Sequence, residues 1–242
     1  MDNEKDENGF IKTGSWHDFD ASNAHRGPGI PYDYSNNPAP GQFDAAKASQ
    51  GMVSGYKPFV IVDGEGVRCS VYLSGCLFHC RNCFSPATWR FDAGFPYTDE
   101  FEETVIHDIS QPYVQGLTLI GGEPMANTPT AIRLAKRFRR EFGHDKDIWC
   151  WTGFTWEELH RHDETPDKLE LLSYVDILVD GRFMDTLKNP LLQFRGSSNQ
   201  RIIDVKKSTP ENIVLWDKIN DQTTSFKEFT PSERASIEGP QS

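Results

Sequence analysis

The chain has 242 residues, of which 37% are hydrophobic, so it is long enough to form one domain with a substantial core. Its formal net charge of −11 argues against a nucleic-acid-binding protein, because no excess of basic residues is present to attract phosphates. The acidic start, MDNEKDENGF, has no apolar core, and no later stretch approaches the roughly 18 apolar residues of a membrane span, so we expect a cytoplasmic protein without a membrane anchor.

The first 54 residues differ in composition from the rest of the chain. They are rich in Asp, Asn, Gly, Pro and Ser and show no sustained apolar period. This composition predicts a flexible N-terminal extension over residues 1–54. We predict one folded domain over residues 55–219 and a disordered C-terminal tail over residues 220–242.

From Tyr56 onward, short β-branched or aromatic runs alternate with amphipathic segments, which is typical of an α/β protein. The predicted strands are PFVIV, SVYLSG, GLTLIGG, DIWCWTG, VDILVDG and RIIDVKK, with NIVLW as a further candidate. Because strand, helix and strand repeat, each return to the same edge needs a crossover, and we expect parallel pairing. The predicted domain is much shorter than the about 250 residues of a complete barrel. We therefore predict an incomplete TIM-type barrel with a mostly parallel sheet.

Each predicted helix has a capping residue or a proline at its start. In chain order these signals are Thr98, Asn127 or Thr128 before Pro129, Thr155 with Glu158 in capping-box spacing, and Thr165 before Pro166. Gly143 is suited to end the second helix with a left-handed residue. In the fourth helix, Leu169 and Leu172 are predicted to face inward.

Three of the five cysteines, Cys76, Cys80 and Cys83, follow the predicted strand SVYLSG within eight positions. Such crowding in a chain without an export signal favours metal or redox chemistry over disulfides. Three thiolates can bind three corners of an iron–sulfur cluster and leave one iron for an outside ligand. The alternative is a zinc site completed by His79, Cys69 or Cys150, but His79 lies awkwardly between two of the thiolates.

A second unusual segment, GGEPM, follows the strand GLTLIGG and contains Gly121, Gly122 and Glu123. The glycines let the backbone approach a ligand closely, and Glu123 can accept hydrogen bonds from an ammonium group. The carboxyl ends of parallel strands meet at one edge of a sheet. We therefore expect GGEPM and the cysteine segment to form a single site.

The spacing of the three cysteines, C-x3-C-x2-C, resembles the radical S-adenosylmethionine superfamily, and GGE is similar to the motif with which that family holds the methionine end. The resemblance implies a 4Fe-4S cluster on Cys76, Cys80 and Cys83. It implies that S-adenosylmethionine binds the fourth iron and yields a 5′-deoxyadenosyl radical. It also implies cofactor contacts near Asn82, Cys83 and Phe84, although Asn82 stands where the family often has an aromatic residue for the adenine.

Longer blocks of sequence point to one family within this superfamily. VDGEGVR, NCFSPATWRFDAGFPYT, DIWCWTGFTWEEL, VDILVDGRF and QFRGSSNQRIIDV resemble the activating proteins of anaerobic ribonucleoside-triphosphate reductase between about residues 55 and 207. This resemblance implies that one glycine of the large reductase subunit loses a hydrogen atom and becomes a glycyl radical. It further implies reduced flavodoxin or a similar carrier as the electron donor.

Three alternatives to that function stay open. The chain could be an activase of another glycyl-radical enzyme, or a small-molecule enzyme similar to 7-carboxy-7-deazaguanine synthase. The blocks after Asp147 argue against both. An alternative from a different class is a zinc-binding interaction module without turnover.

Several other residues support weaker predictions. Arg68 is a candidate for a substrate or carboxylate contact, Asp180 with Gly181 favours an ordinary turn, and residues 195–199 either bind the cofactor or become ordered on a partner. One helix face could receive an acidic electron carrier, although most such faces are only solvated; it consists of Arg133, Lys136, Arg137, Arg139 and Arg140. Buried strand positions are predicted for Cys69 and Cys150, and core positions for Trp149, Trp151 and Trp156.

Overall fold

The computed structural model describes residues 44–161 and 165–221. Most of the predicted extension and of the predicted tail lies outside these residues. The described fold begins before residue 55, with helix α1 (Ala45–Ala48) and strand β1 (Met52–Val60). Asp44 caps α1, since its Oδ1 accepts a hydrogen bond from Ala46 N at 3.0 Å.

The remaining elements follow in the predicted alternation. The strands are β2 (Val67–Leu73), β3 (Phe95–Pro96), β4 (Val114–Gly121), β5 (Asp147–Trp151), β6 (Ile177–Asp180) and β7 (Arg201–Asp204). The helices are α2 (Asp99–Ile109), α3 (Thr128–Phe142), α4 (Trp156–Leu159) and α5 (Pro166–Tyr174). No helix of the described ranges is long and apolar enough to cross a membrane.

The seven strands form one sheet in the order β3-β1-β2-β4-β5-β6-β7. Neighbouring strands are parallel from β2 through β4 and β5 to β6, whereas β1 is antiparallel to β2 and β3, and β7 is antiparallel to β6. The α/β class is confirmed, but the sheet is not closed and a partial barrel is not confirmed. The crossovers are confined to the middle of the sheet, because the pairs β1–β2 and β6–β7 are antiparallel and need no crossover.

Two of the predicted strands differ from the observed ones. PFVIV lies only partly in β1, which begins at Met52, and Ile61 and Val62 are exposed in the connection to β2. NIVLW forms no strand, and only an isolated bridge joins Leu215 to Ile203.

The predicted helix starts agree with the structure. Thr98 caps α2 by accepting a hydrogen bond from Phe101 N at 3.2 Å, and Thr155 with Glu158 forms the capping box of α4. The prediction for Leu169 was wrong, since it is 42% exposed while Leu172 is buried. The inward side of α5 is formed by Lys168, Leu171 and Leu172, which share one helix face at spacings of three and four.

The two faces of the sheet are covered differently. Helices α2, α3 and α5 contribute to the main hydrophobic cluster, which contains Leu119 and Cys150. The opposite face has a smaller cluster around Trp149, which Trp216 covers from the segment after β7. Alternation along a strand explains the division, because Trp149 and Cys150 are consecutive in β5 and point to opposite faces.

The C-terminal segment also closes one end of this second face. Lys218 Nζ lies 2.8 Å from Glu65 Oε1 in the connection between β1 and β2. That connection lies beside the sheet, because the Asp63 carbonyl accepts a hydrogen bond from Thr118 Oγ1 at 2.7 Å. The carboxyl ends of the parallel strands stay accessible and carry the site.

Candidate active site

The loop that follows β2 carries Cys76, Cys80 and Cys83. Its backbone is fixed at two of these residues: Cys76 N donates to Trp89 O at 2.9 Å, and Cys83 N donates to Cys80 O at 3.0 Å. Cys76 is buried, and Cys80 and Cys83 are partly exposed. Burial raises the pKa of the Cys76 thiol, so a metal centre bound by this thiol would have to supply the free energy that deprotonates it.

The residue immediately before each of these cysteines has a positive φ angle. The values are 98° at Gly75, 43° at His79 and 56° at Asn82. Left-handed backbone is uncommon for residues other than glycine, and Asn tolerates it better than most. Three such turns in eight residues make the loop curl, which places the thiols around one cavity. We did not predict this pattern from the sequence.

Side chains of the loop hold these turns in place. His79 stacks on Trp89 with 4.7 Å between the ring centroids. Asn82 Nδ2 donates to Asp185 Oδ2 at 2.8 Å, which ties the cysteine loop to the segment after β6. Phe84 is 85% exposed beside the cavity. The predicted cofactor residues Asn82 and Phe84 therefore flank Cys83 in different ways, because Asn82 is hydrogen-bonded within the chain and Phe84 is largely exposed.

Gly121 is the last residue of β4, Gly122 follows it, and both lie next to the cysteine loop. Gly121 has a φ of 117°, Gly122 N donates to Leu73 O at 2.8 Å, and Glu123 N donates to Gly75 O at 2.7 Å. A Cβ atom on Gly122 would lie 2.4 Å from Gly75 O. The glycines are needed because the two loops approach backbone to backbone.

The Glu123 carboxylate is buried at the carboxyl ends of β4 and β5. It accepts hydrogen bonds from Met125 N at 2.9 Å, Thr152 Oγ1 at 2.7 Å and Gly153 N at 2.6 Å. Burial raises the pKa of Glu123 to about 7, while these hydrogen bonds and the charge of Lys168 act in the opposite direction. A carboxylate has about four acceptor positions, so room remains for one further donor.

All predicted site residues line one cavity of about 600 Å³. These residues are Cys76, Cys80, Asn82, Cys83, Phe84, Gly121, Gly122 and Glu123. The volume lies within the range of small-molecule sites, and aromatic rings form much of the wall. Those rings belong to Tyr72, Phe78, Trp89, Trp151 and Phe183.

The donor set of this cavity fits an iron–sulfur cluster with one free corner. Among the residues that the structure describes, no group of three or more His, Cys, Asp or Glu side chains is arranged to hold a single metal ion. Three residues were considered as a fourth zinc ligand: His79, Cys69 and Cys150. Cys69 and Cys150 are buried in strands, and none of the three lines the cavity. Three thiols beside a cavity that also has room for an organic ligand match a cluster completed from outside the protein.

Comparison with known proteins agrees with this geometry. A family model described as a 4Fe-4S single cluster domain matches residues 62–203. The anaerobic ribonucleoside-triphosphate reductase-activating protein of Vibrio cholerae serotype O1 is 40% identical over 151 residues, which cover 61% of this chain and 94% of that protein. The proteins of the same name from Escherichia coli K12 and phage T4 are 39% and 35% identical, over 93% and 88% of their lengths and 60% of this chain.

The chain belongs to the family of anaerobic ribonucleoside-triphosphate reductase-activating proteins.

Membership of this family confirms the resemblance inferred from the sequence blocks. It also confirms a 4Fe-4S domain, whose matched residues contain all three cysteines of the loop. The assignment of individual residues to the cluster and to a cofactor stays a prediction, for which the shared cavity is the structural basis.

Arg68 has a different role from the predicted substrate contact. Its side chain is fully buried and donates to Thr118 Oγ1 at 2.9 Å and Leu117 O at 2.7 Å, and it forms an ion pair of 2.6 Å with Asp147. The carboxylate that it contacts belongs to the protein itself. Arg68 joins β2, β4 and β5 below the site, since a buried cation needs a partner of opposite charge.

The basic face of α3 is neutralised rather than free. Arg133 pairs with Asp99 and Glu102, Lys136 with Glu170, Arg137 with Glu103 and Glu141, and Arg139 with Asp176. These acidic partners lie on neighbouring helices and turns and on α3 itself, and all of them except the buried Glu102 are exposed or half-buried. The hypothesis that this face receives an acidic carrier therefore loses its electrostatic basis, because most of the positive charge is compensated nearby.

Residues 195–199 are already ordered by contacts within the chain. Gly196 N donates to Gln200 Oε1 at 3.0 Å, and Arg195 pairs with Asp221. Of the five residues, Arg195 and Gly196 line the cavity. Folding on a partner is not needed to order this segment, and only its first two residues are placed for a cofactor contact.

Asp180 and two of the three tryptophans have structural roles, as the sequence favoured. The Asp180 carboxylate accepts from Trp156 N at 2.8 Å and from Arg201 Nε at 3.0 Å, so it caps α4 and holds β7. Trp149 and Trp156 are buried in the core. Trp151 differs, because it is only partly buried and lines the cavity.

Tyr72 and Asp63 are among the cavity residues that the sequence analysis did not predict. Tyr72 Oη donates to Asp63 Oδ2 at 3.1 Å, and both residues line the cavity. Alternation along β2 could have placed Tyr72 on the same face as Arg68, four positions earlier. No local pattern places Asp63, because its position depends on how the β1–β2 connection folds beside the sheet.

Proposed function

We propose that this chain is a radical S-adenosylmethionine activase. In this proposal Cys76, Cys80 and Cys83 hold a 4Fe-4S cluster, and S-adenosylmethionine binds in the adjoining cavity. The bound cofactor supplies a 5′-deoxyadenosyl radical, which takes a hydrogen atom from one glycine of the large subunit of anaerobic ribonucleoside-triphosphate reductase. The product on that subunit is a glycyl radical.

The observation that supports this function most directly is the meeting of two segments in one cavity. The cysteine loop and Gly121–Glu123 are about forty positions apart in sequence, yet Glu123 N donates to Gly75 O at 2.7 Å. The cavity of about 600 Å³ has room for a small-molecule cofactor beside the thiols. The names of the related proteins support the choice of the reductase as the substrate.

Each predicted cofactor residue has a role that its position permits. Glu123 has room to accept one more hydrogen bond, which suits the ammonium group of an amino acid. Gly121 and Gly122 let the backbone lie close to the ligand. Phe84 and Asn82 lie at the cysteine loop, where they are placed to contact the nucleoside part.

The walls of the cavity suit radical chemistry. Aromatic side chains, among them Trp89, Trp151 and Phe183, exclude water and hold the reacting groups in a restricted space. Abstraction of a hydrogen atom needs no general acid or base, so the site requires orientation more than proton transfer. A reduced flavodoxin or a similar carrier is the proposed electron donor, and the cytoplasm is the proposed location.

Anaerobic reconstitution tests the proposal. We expect about four iron and four sulfide per chain, as the cluster composition requires, and a glycyl radical signal in electron paramagnetic resonance spectra after addition of S-adenosylmethionine, a reductant and the reductase subunit. Replacement of Cys76, Cys80 or Cys83 by Ala should abolish the signal and reduce the iron content. Cys69→Ala and Cys150→Ala are matched controls, because both cysteines lie outside the cavity. A glycyl radical of normal yield in any of the three loop variants would contradict the assignment.

A further inference from the structure

Cys80 lies in a wall between two cavities. The second cavity has a volume of about 640 Å³ and lies beside the one described above. Five residues line both cavities: Phe78, Cys80, Gly181, Arg182 and Phe183. Cys76, Cys83 and Gly121–Glu123 line only the first cavity. The second cavity therefore reaches the cysteine loop from a side that the proposed cofactor residues do not use.

The second cavity is lined by charged side chains of both signs. Its charged lining residues are Arg81, Glu157, Asp180, Arg182 and Arg201. Three guanidinium groups and two carboxylates line it, and a third carboxylate, that of Glu158, pairs with Arg182. Ion pairing therefore compensates two of the three cations, and the excess of positive charge next to Cys80 is that of one residue.

Arg81 contributes most to this excess. It is exposed and follows Cys80 directly, and it forms no ion pair with any residue of the ranges 44–161 and 165–221. Arg182 pairs with Glu158, and Arg201 pairs with Glu157 and Asp180. An unpaired exposed cation gives more attraction to an acidic surface than one that is already compensated.

We propose that the second cavity is the docking surface for an acidic one-electron carrier protein, which delivers its electron to the cluster from the Cys80 side. The inference rests on the proposed function, which requires such a donor. The carrier loses one electron and the cluster gains it, with no bond formed or broken. The first cavity then stays available for S-adenosylmethionine and the glycine while the carrier is bound.

Charge reversal at Arg81 tests the docking surface against the face of α3. Arg140 is the matched control, because it is also exposed and makes no ion pair within the described residues, but it lies on α3. The dissociation constant for flavodoxin and the rate of cluster reduction by reduced flavodoxin are measured at low and high salt. We expect Arg81→Glu to weaken binding and slow reduction about tenfold at low salt, with a smaller difference at high salt. Arg140→Glu should change both by less than about twofold.

A second variant separates docking from damage to the cluster. Met184→Asp adds a negative charge at a residue that lines only the second cavity and lies outside the cysteine loop. It should slow reduction by flavodoxin in the same direction as Arg81→Glu, while reduction by dithionite and the dithionite-driven glycyl radical yield stay at the level of the unmodified chain.

Three results would overturn the docking proposal. The first is an unchanged affinity of Arg81→Glu for flavodoxin. The second is a loss of flavodoxin affinity in Arg140→Glu that equals the loss in Arg81→Glu. The third is an Arg81→Glu variant that binds the reductase subunit more weakly but binds flavodoxin normally. Failure of the proposed function is a separate result, since the unmodified chain would then give no glycyl radical even with dithionite.

Discussion

Gly122 illustrates how a single residue determines the contact between the two loops of the site. Its amide donates to Leu73 O, and its Cα lies where any side chain would meet Gly75 O and Thr88 O, at 2.4 and 2.7 Å from a Cβ atom. Both neighbours are backbone atoms, so neither can move as a side chain does. A substitution at this position must therefore shift the cysteine loop relative to β4.

We predict that Gly122→Ala lowers both stability and cluster content. The added methyl group forces the loops apart, which should cost about 2 kcal/mol or more, since overpacking against rigid atoms typically costs about 1–3 kcal/mol. Iron content after anaerobic reconstitution and the urea midpoint measure the two effects. Gly143→Ala is the control, because a Cβ atom there has no neighbour within 4 Å. Its free energy of unfolding should fall by about 1 kcal/mol, because alanine is disfavoured at a positive φ, and its iron content should stay unchanged. Full iron content in Gly122→Ala would contradict the clash.

The sequence was sufficient to predict that the three cysteines and the glycine pair meet at one cavity, because both are local patterns after apolar strands. It was not sufficient for Asp63, which enters the cavity only because the β1–β2 connection folds beside the sheet. For Arg68 the sequence predicted a role in the site that the structure does not show. An arginine beside a glycine-rich turn suggests a ligand contact, but its burial depends on strands that are distant in sequence.

At the level of elements, Arg68 holds three strands together. Its guanidinium contacts Leu117 O and Thr118 Oγ1 of β4 and the Asp147 carboxylate of β5. Desolvation lowers the pKa of Arg68, and the nearby Asp147 carboxylate opposes this effect. The Asp147 carboxylate is therefore the main partner that favours the charged form of this buried group.

We predict that Arg68→Ala destabilises the fold by about 3–5 kcal/mol, as expected when a buried ion pair loses one member. Arg90→Ala is a suitable control, because Arg90 forms an ion pair with Asp92 that is largely solvent-accessible and worth about 0–1 kcal/mol. Urea denaturation of both variants measures the difference. A loss of less than about 1 kcal/mol in Arg68→Ala would show that the network is not required for the sheet.

The elements themselves were partly predictable. The helix caps at Thr98 and Thr155 give strong local signals, and these predictions were correct. In α5, however, Leu169 was predicted to face inward, whereas the neighbouring Lys168 does so. A short helix with several leucines has no unique apolar stripe, so its rotation is set by the sheet below it. The antiparallel edges of the sheet also had no local signal, because strand direction depends on pairing between distant segments.

At the level of the whole molecule, the described fold extends beyond the residues matched by the 4Fe-4S domain model. The family match ends at residue 203, but Trp216 is buried against Trp149 with 5.1 Å between ring centroids. Lys218 then pairs with Glu65 on the far side of the chain. The segment after β7 is thus a structural part of the domain rather than an appendage.

We predict that Trp216→Ala destabilises the protein by about 3–5 kcal/mol, which is typical of removing a large aromatic side chain from a core. Leu215→Ala is the neighbouring control, since Leu215 is 52% exposed and should change stability by less than about 1 kcal/mol. Thermal unfolding of the two variants tests the difference. Equal melting temperatures would mean that the segment covers the sheet without stabilising it.

The late position of Trp216 also has a consequence for biosynthesis. A polypeptide is made from its N-terminus, so the cysteine loop and the tryptophan face of the sheet leave the ribosome well before the residues that cover that face. Until translation passes Lys218, Trp149 and Ile202 lack their cover, and the nascent chain exposes an adhesive surface. We therefore expect the uncovered aromatic face to be the part of the nascent chain most prone to aggregation during that interval.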